Sequence, residues 1–142
     1  MKRIGQYPKD VIERALSCYG AGRQWESQSR MRIFESELPL VSEKYRFGGT
    51  LDAMFIQDKL SLGDYKTGSL YPDHLIQVVG GYALLWEENF PTLPIEGGYH
   101  LLKFGKEGDF AHHWWLEIPE AKKAFLLMRE LYDLMNILEK RV

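Results

Sequence analysis

The sequence predicts an α/β fold, a mixed central sheet with helices packed on it. Two observations carry this. Segments of strand period come as a group of three and a group of two, and helical stripes stand before, between and after those groups. The 142 residues suit one domain, 1–142, burying ~70% of its unfolded surface. A hydrophobic content of 45% and an aromatic content of 13% exclude a disordered chain.

The first helix is expected over 8–19, where Val11, Ile12, Ala15, Leu16 and Tyr19 recur at helical spacing and Gly20-Ala21-Gly22 ends the pattern. Residues 23–29 are polar and leave a short helical extension open. Period-two patterning then marks strands over 31–41, 46–56 and 59–66. The second and third flank a tight turn at Gln57-Asp58 and read as a hairpin, while Gly48-Gly49 signals a bulge or a close backbone approach. Thr67-Gly68-Ser69 stops the third strand, and Pro72 opens a helix with Leu75, Ile76, Val79, Ala83 and Trp86 on its buried stripe. Beyond a loop with Pro91 and Pro94, two more strands are expected over 97–104 and 109–118. The last helix, from 119 to about 140, gathers Ala124, Leu127, Met128, Leu131, Leu134, Met135 and Leu138 on a face that is either core or a homo-oligomer contact.

A net charge of −2 gives no global positive field, yet basic residues can still be concentrated on one face. The single Cys18 excludes a disulfide framework and a multi-cysteine metal site, and is expected to pack as a small apolar residue. No apolar run reaches the ~18 residues that span a bilayer, so a soluble cytoplasmic protein with no membrane partner is expected.

The chemistry concentrates in Gly48-Gly49-Thr50-Leu51-Asp52-Ala53 and Gly63-Asp64-Tyr65-Lys66-Thr67-Gly68. Strand alternation points Asp64 and Lys66 one way and Tyr65 the other. In the simple hairpin register Asp52 comes close to Asp64, and two close carboxylates repel. A hard divalent cation, Mg²⁺ or Mn²⁺, relieves that repulsion, with the Tyr65 carbonyl best placed to extend the oxygen shell. The ammonium of Lys66 would then stabilise charge building on phosphorus, which suits in-line hydrolysis of a phosphodiester. The competing reading of Asp52, Asp64 and Lys66 is a solvated hairpin with a surface ion pair.

These strings resemble the PD-(D/E)XK nuclease superfamily, in its RecB-like branch, which includes lambda-exonuclease-like phage proteins. The direct match runs over 37–82, and the branch's αβββαβ element order extends it to most of the chain. The resemblance implies a restriction-endonuclease-like core and a metal-dependent DNA exonuclease of recombination, repair or replication. It implies that Asp52 and Asp64 hold metal, that Lys66 is the catalytic lysine, and that Glu37 is the upstream acid on the metal. Gln77 resembles the helix glutamine that orients substrate and lysine. The family's tyrosine stands four residues after that glutamine, whereas Tyr82 is five after Gln77; on an α-helix this turns it roughly another 100° away, into packing. Only Glu13 could stand in for the motif many members carry on their first helix, and its surroundings do not match. From another class, a non-catalytic DNA-binding or assembly module on the same fold is the alternative.

In His112-His113-Trp114-Trp115, adjacent histidines face opposite ways and cannot easily share one metal, so a strand with one wall in the core is expected over a base-stacking surface. Arg23, Arg30, Arg32, Lys44, Arg46, Lys103 and Lys106 are available for phosphates but form no dense cluster.

Overall fold

The computed structural model describes residues 8–105 and 109–142. Helix α1 (Lys9–Ser29) precedes strands β1 (Arg32–Ser42), β2 (Phe47–Ile56) and β3 (Leu60–Thr67). A composite helix follows, made of α2 (Pro72–Leu75), a π-helical stretch (Ile76–Tyr82) and α3 (Ala83–Asn89). Strands β4 (Tyr99–Phe104) and β5 (Phe110–Trp115) and helix α4 (Pro119–Glu139) complete it. The five strands lie in the order β1-β2-β3-β4-β5, all antiparallel neighbours except the parallel pair β3–β4. This is the mixed α/β sheet that the patterning predicts. Lys106 and the side chains of Ala15 and Cys18 lie outside the described residues.

Two elements differ from expectation. Helix α1 continues through Gly20-Ala21-Gly22 instead of ending there. A helical glycine costs only about 1 kcal/mol, and the continuation carries Trp25 to the sheet, where it meets the edges of Phe55 and His100 at centroid distances of 5.2 and 5.7 Å. Strand β5 stops at Trp115, short of 118, and the chain leaves the sheet to enter α4 at Pro119.

The sheet has two covered faces. On one, Leu40, Leu51, Met54, Leu62, Val78, Trp86 and Leu101 pack beneath the composite helix and α4. On the other, Ala53, Phe55, Leu102 and Phe104 pack with Trp25 of α1. Leu51 and Ala53, two apart on β2, thus belong to opposite faces, although a regular strand would point them the same way. The switch falls at Asp52. Opposite it, between the pairs Ser36↔Ala53 and Leu38↔Leu51, stands Glu37 with a positive φ of 48°. The hairpin is kinked at this level, and the kink takes Asp52 out of strict alternation.

Gly80 and Gly81 let α4 approach the composite helix. A Cβ at Gly80 would sit 2.5 Å from the backbone oxygen of Ala121, and one at Gly81 2.8 Å from the Phe125 ring. Because the first obstacle is backbone, Gly80→Ala is expected to lower unfolding free energy by about 1–3 kcal/mol, measured by chemical denaturation. Along α4 beyond this contact, Leu127, Leu131, Leu134 and Leu138 are more than half exposed.

A polar cluster lies under α1. His100, 4% exposed, has Nδ1 2.7 Å from His112 Nε2, and Trp25 meets both rings edge-on. Burial, then the neighbouring His112, holds His100 down to about 4, and burial lowers His112 as well. Both rings are neutral in the fold at neutral pH. With folded values below the unfolded value of ~6.5, this stabilisation is complete above ~6.5 and is lost as pH falls towards about 4. Denaturant titrations are expected to show His100 contributing a loss on the order of 2 kcal/mol across that window, reduced in His100→Leu.

Candidate active site

The β2–β3 ladder ends at Ala53↔Gly63. One step further Asp52 and Asp64 stand level with each other, where the strands have parted. Instead of a ladder bond, Asp52 Oδ2 accepts from the Tyr65 backbone N–H at 2.9 Å. The N–H and C=O of one strand residue point to the same side, so the Tyr65 carbonyl also faces the opened gap. The Tyr65 ring lies on the other face, against Phe104 at 6.1 Å. Asp64 continues the row of Leu62 and is 1% exposed.

Burial pushes the Asp64 carboxyl up to about 7; the hydrogen bond and charge of Asp52 act in the same direction, and Lys66 opposes them. Asp64 Oδ2 lies 2.8 Å from Lys66 Nζ as an ion pair, without a hydrogen bond of good geometry. Lys66 Nζ donates instead to Gln77 Oε1 at 2.7 Å, and Gln77 Nε2 donates to Tyr82 Oη at 2.9 Å. A continuous polar chain therefore runs from the half-buried Asp52 and the buried Asp64 through Lys66 and Gln77 to Tyr82.

Tyr82 corrects the α-helical expectation. Between Ile76 and Tyr82 the helix widens, and the Ala83 N–H reaches the Val78 carbonyl five residues back. A π-helical turn returns residues five apart to nearly the same side, so Gln77 and Tyr82 share the site face. Burial, followed by the charges of Asp64 and Asp52, raises the Tyr82 phenol above its ordinary value. Gly49 makes room: a Cβ there would come within 3.0 Å of the Tyr82 ring. The close approach signalled by Gly48-Gly49 is the resting place of this ring. The five-residue spacing with Gly80-Gly81 inside it was the available signal for a π-turn, since small residues tolerate the widened bore.

Glu37 is not brought into this group. It is exposed at the β1 kink, and among the described residues no three His, Cys, Asp or Glu side chains form a group fit to hold a metal. Its positive φ breaks the alternation on which an inward placement rests. Glu13 is exposed and pairs with Lys9 along α1. His113 stacks on Trp115 at 6.0 Å, while His112 belongs to the pair under α1, so the two histidines do diverge.

The donor chemistry of the site fits a hard cation. Two carboxylates face one gap, one of them desolvated and carrying an oxygen without a hydrogen bond, which is an arrangement a divalent cation satisfies and a proton satisfies only in part. Asp52, Asp64 and the Tyr65 carbonyl are the groups that would hold it.

No family model and no curated protein matches the chain. Among solved structures, a presumed exonuclease from Eubacterium rectale matches with a TM-score of 0.66 at 13% identity, over 92% of this chain and 53% of that one. The protein SSO0001 matches with a TM-score of 0.54 at 18% identity, over 91% of this chain and 62% of that one. The chain therefore shares the fold of these neighbours and spans about half to three-fifths of their length. Among the described residues no helix is long and apolar enough to cross a membrane.

Proposed function

We propose that the chain is a metal-dependent nuclease of the PD-(D/E)XK type that hydrolyses DNA phosphodiester bonds, acting as an exonuclease of the RecB-like branch. The observation that carries this is the desolvated Asp64 carboxylate, level with Asp52 and in contact with Lys66, at a point where two strands part. The fold shared with a presumed exonuclease supports the same reading. A bound Mg²⁺ or Mn²⁺ would supply Lewis acidity toward the phosphate and ease ionisation of the attacking water.

This chain's own groups do the rest. Asp52 and Asp64 would hold the cation, and the Tyr65 N–H fixes Asp52 in place. Water adds to phosphorus as the opposite P–O ester bond breaks, leaving a phosphomonoester and a free hydroxyl. Lys66 places its ammonium beside Asp64 and stabilises the negative charge that builds on phosphorus. Gln77 holds Lys66 on the open side, where its own exposure leaves an approach for substrate. Because Gln77 donates to Tyr82 Oη, the phenolic proton of Tyr82 is left to donate toward a phosphate or a carboxylate.

The test is incubation of linear and circular DNA with Mg²⁺, with Mn²⁺ and with chelator. Cation-dependent loss of the linear form alone is expected. Nicking of the circle would replace the exonuclease reading with an endonuclease. Binding without cleavage in both metals would leave the non-catalytic DNA-binding module standing in its place.

A further inference from the structure

We propose that Lys103 is a second cationic arm of this site, contacting a non-bridging phosphate oxygen of the bound strand beside the one served by Lys66; this rests on the nuclease reading above. The parallel β3–β4 register pairs Lys66 with Lys103 and Asp64 with Leu101. Along β4, Tyr99 and Leu101 pack with the core under the composite helix, while Leu102 and Phe104 pack on the α1 face. Alternation therefore puts Lys103 on the face of Asp64 and Lys66. Neighbouring strands are ~4.8 Å apart, so the two lysines stand side by side on one surface.

A solvated rim lysine is the ordinary alternative, and three observations weigh against it. Lys103 is half-buried, on a strand whose other described residues are all buried. Among the described residues it makes no hydrogen bond and no ion pair, whereas Lys66 is engaged by Asp64 and Gln77. Like charges on adjacent strands repel, so a half-buried, uncompensated ammonium beside Lys66 is placed at a cost that an anion between them removes. The position also suits a ligand: among the described strands β3 and β4 form the parallel pair, and parallel strands of open α/β sheets present ligand sites outside their carboxyl ends. Lys66 and Lys103 are each one residue from the end of their strand.

The sugar–phosphate backbone would then cross from β3 to β4, one phosphate at the carboxylates and Lys66, with Lys103 on the β4 side. Lys103 makes no bond that breaks, so its contribution is to binding more than to the chemical step. K103M keeps the aliphatic stem and removes the charge; K103R keeps the charge.

The experiment measures oligonucleotide affinity as a function of salt by fluorescence anisotropy with Ca²⁺ present, and steady-state cleavage with Mg²⁺. K103M is expected to weaken binding and raise KM by roughly 5–10-fold, to change kcat less than twofold, and to flatten the log–log salt slope by about one. K103R restores both, and K59M, on the exposed β2–β3 turn, changes neither. If wild type cuts DNA and K103M matches it in KM and salt slope, the proposal falls and the nuclease reading stands. If wild type binds without cutting, the salt slopes of the two proteins still decide the role of Lys103. If wild type neither binds nor cuts, the nuclease reading falls and takes this inference with it.

Discussion

Replacing Asp64 by Asn is expected to lower metal-dependent cleavage by roughly 10³-fold or more and, in the absence of divalent cations, to make the protein more stable at alkaline pH. The two effects share one cause. Burial raises the Asp64 carboxyl from 3.8 to about 7, so the fold binds a proton that the unfolded chain has released. A raised folded value means stability that is complete below 3.8 and lost as pH rises through about 7. The amide carries no such penalty, and the gain is expected to be on the order of 2 kcal/mol at pH 8 and to shrink towards pH 4. Thermal melts at the two pH values, with and without Mg²⁺, measure it. Cation should narrow the gap between wild type and variant at pH 8 by stabilising wild type alone. If the Asp64→Asn variant proved less stable than wild type at pH 8 without metal, the picture of a carboxylate held at a cost would be contradicted.

The second large effect is expected at Lys66. Lys66→Met keeps the stem and removes the ammonium, and kcat should fall by about 10²–10³ with little change in KM, the signature of charge stabilised mainly in the transition state. Lys66→Arg should restore little, because a planar guanidinium cannot occupy the same point between Asp64 and Gln77. Gln77→Ala should cost less, because Lys66 keeps its contact with Asp64. A fall confined to KM in Lys66→Met would make Lys66 a binding residue and move the catalytic role elsewhere.

Much of this was legible in the residue pattern, because the groups involved sit on strands. Alternation put Asp64 and Lys66 on one face, and the Gln57-Asp58 turn set the register that levels Asp52 with Asp64. The unread parts are places where a local rule gives way to tertiary packing. Helix α1 runs through its glycines because Trp25 gains a buried position against Phe55. Tyr82 reaches Gln77 only through a π-turn, whose register is invisible to an argument that assumes 100° per residue. Glu37 turns outward through a left-handed backbone that an ordinary glutamate in a strand does not announce. The His100–His112 contact joins two strands whose order of pairing emerges only from the assembled sheet.

The polar chain of the site closes over separations of 13, 11 and 5 residues. The entropy of closing a loop grows with its length, and short-range contacts form early in folding. The carboxylates, the lysine and its glutamine thus belong to one hairpin and the first turns of the helix that follows it. Among the described residues, neither α1 nor α4 donates a group to that chain. Destabilising substitutions in those helices should then speed unfolding while leaving the folding rate of the central segment nearly unchanged. In kinetic terms the candidate site is then expected to behave as a local unit that takes shape before its surroundings close over it.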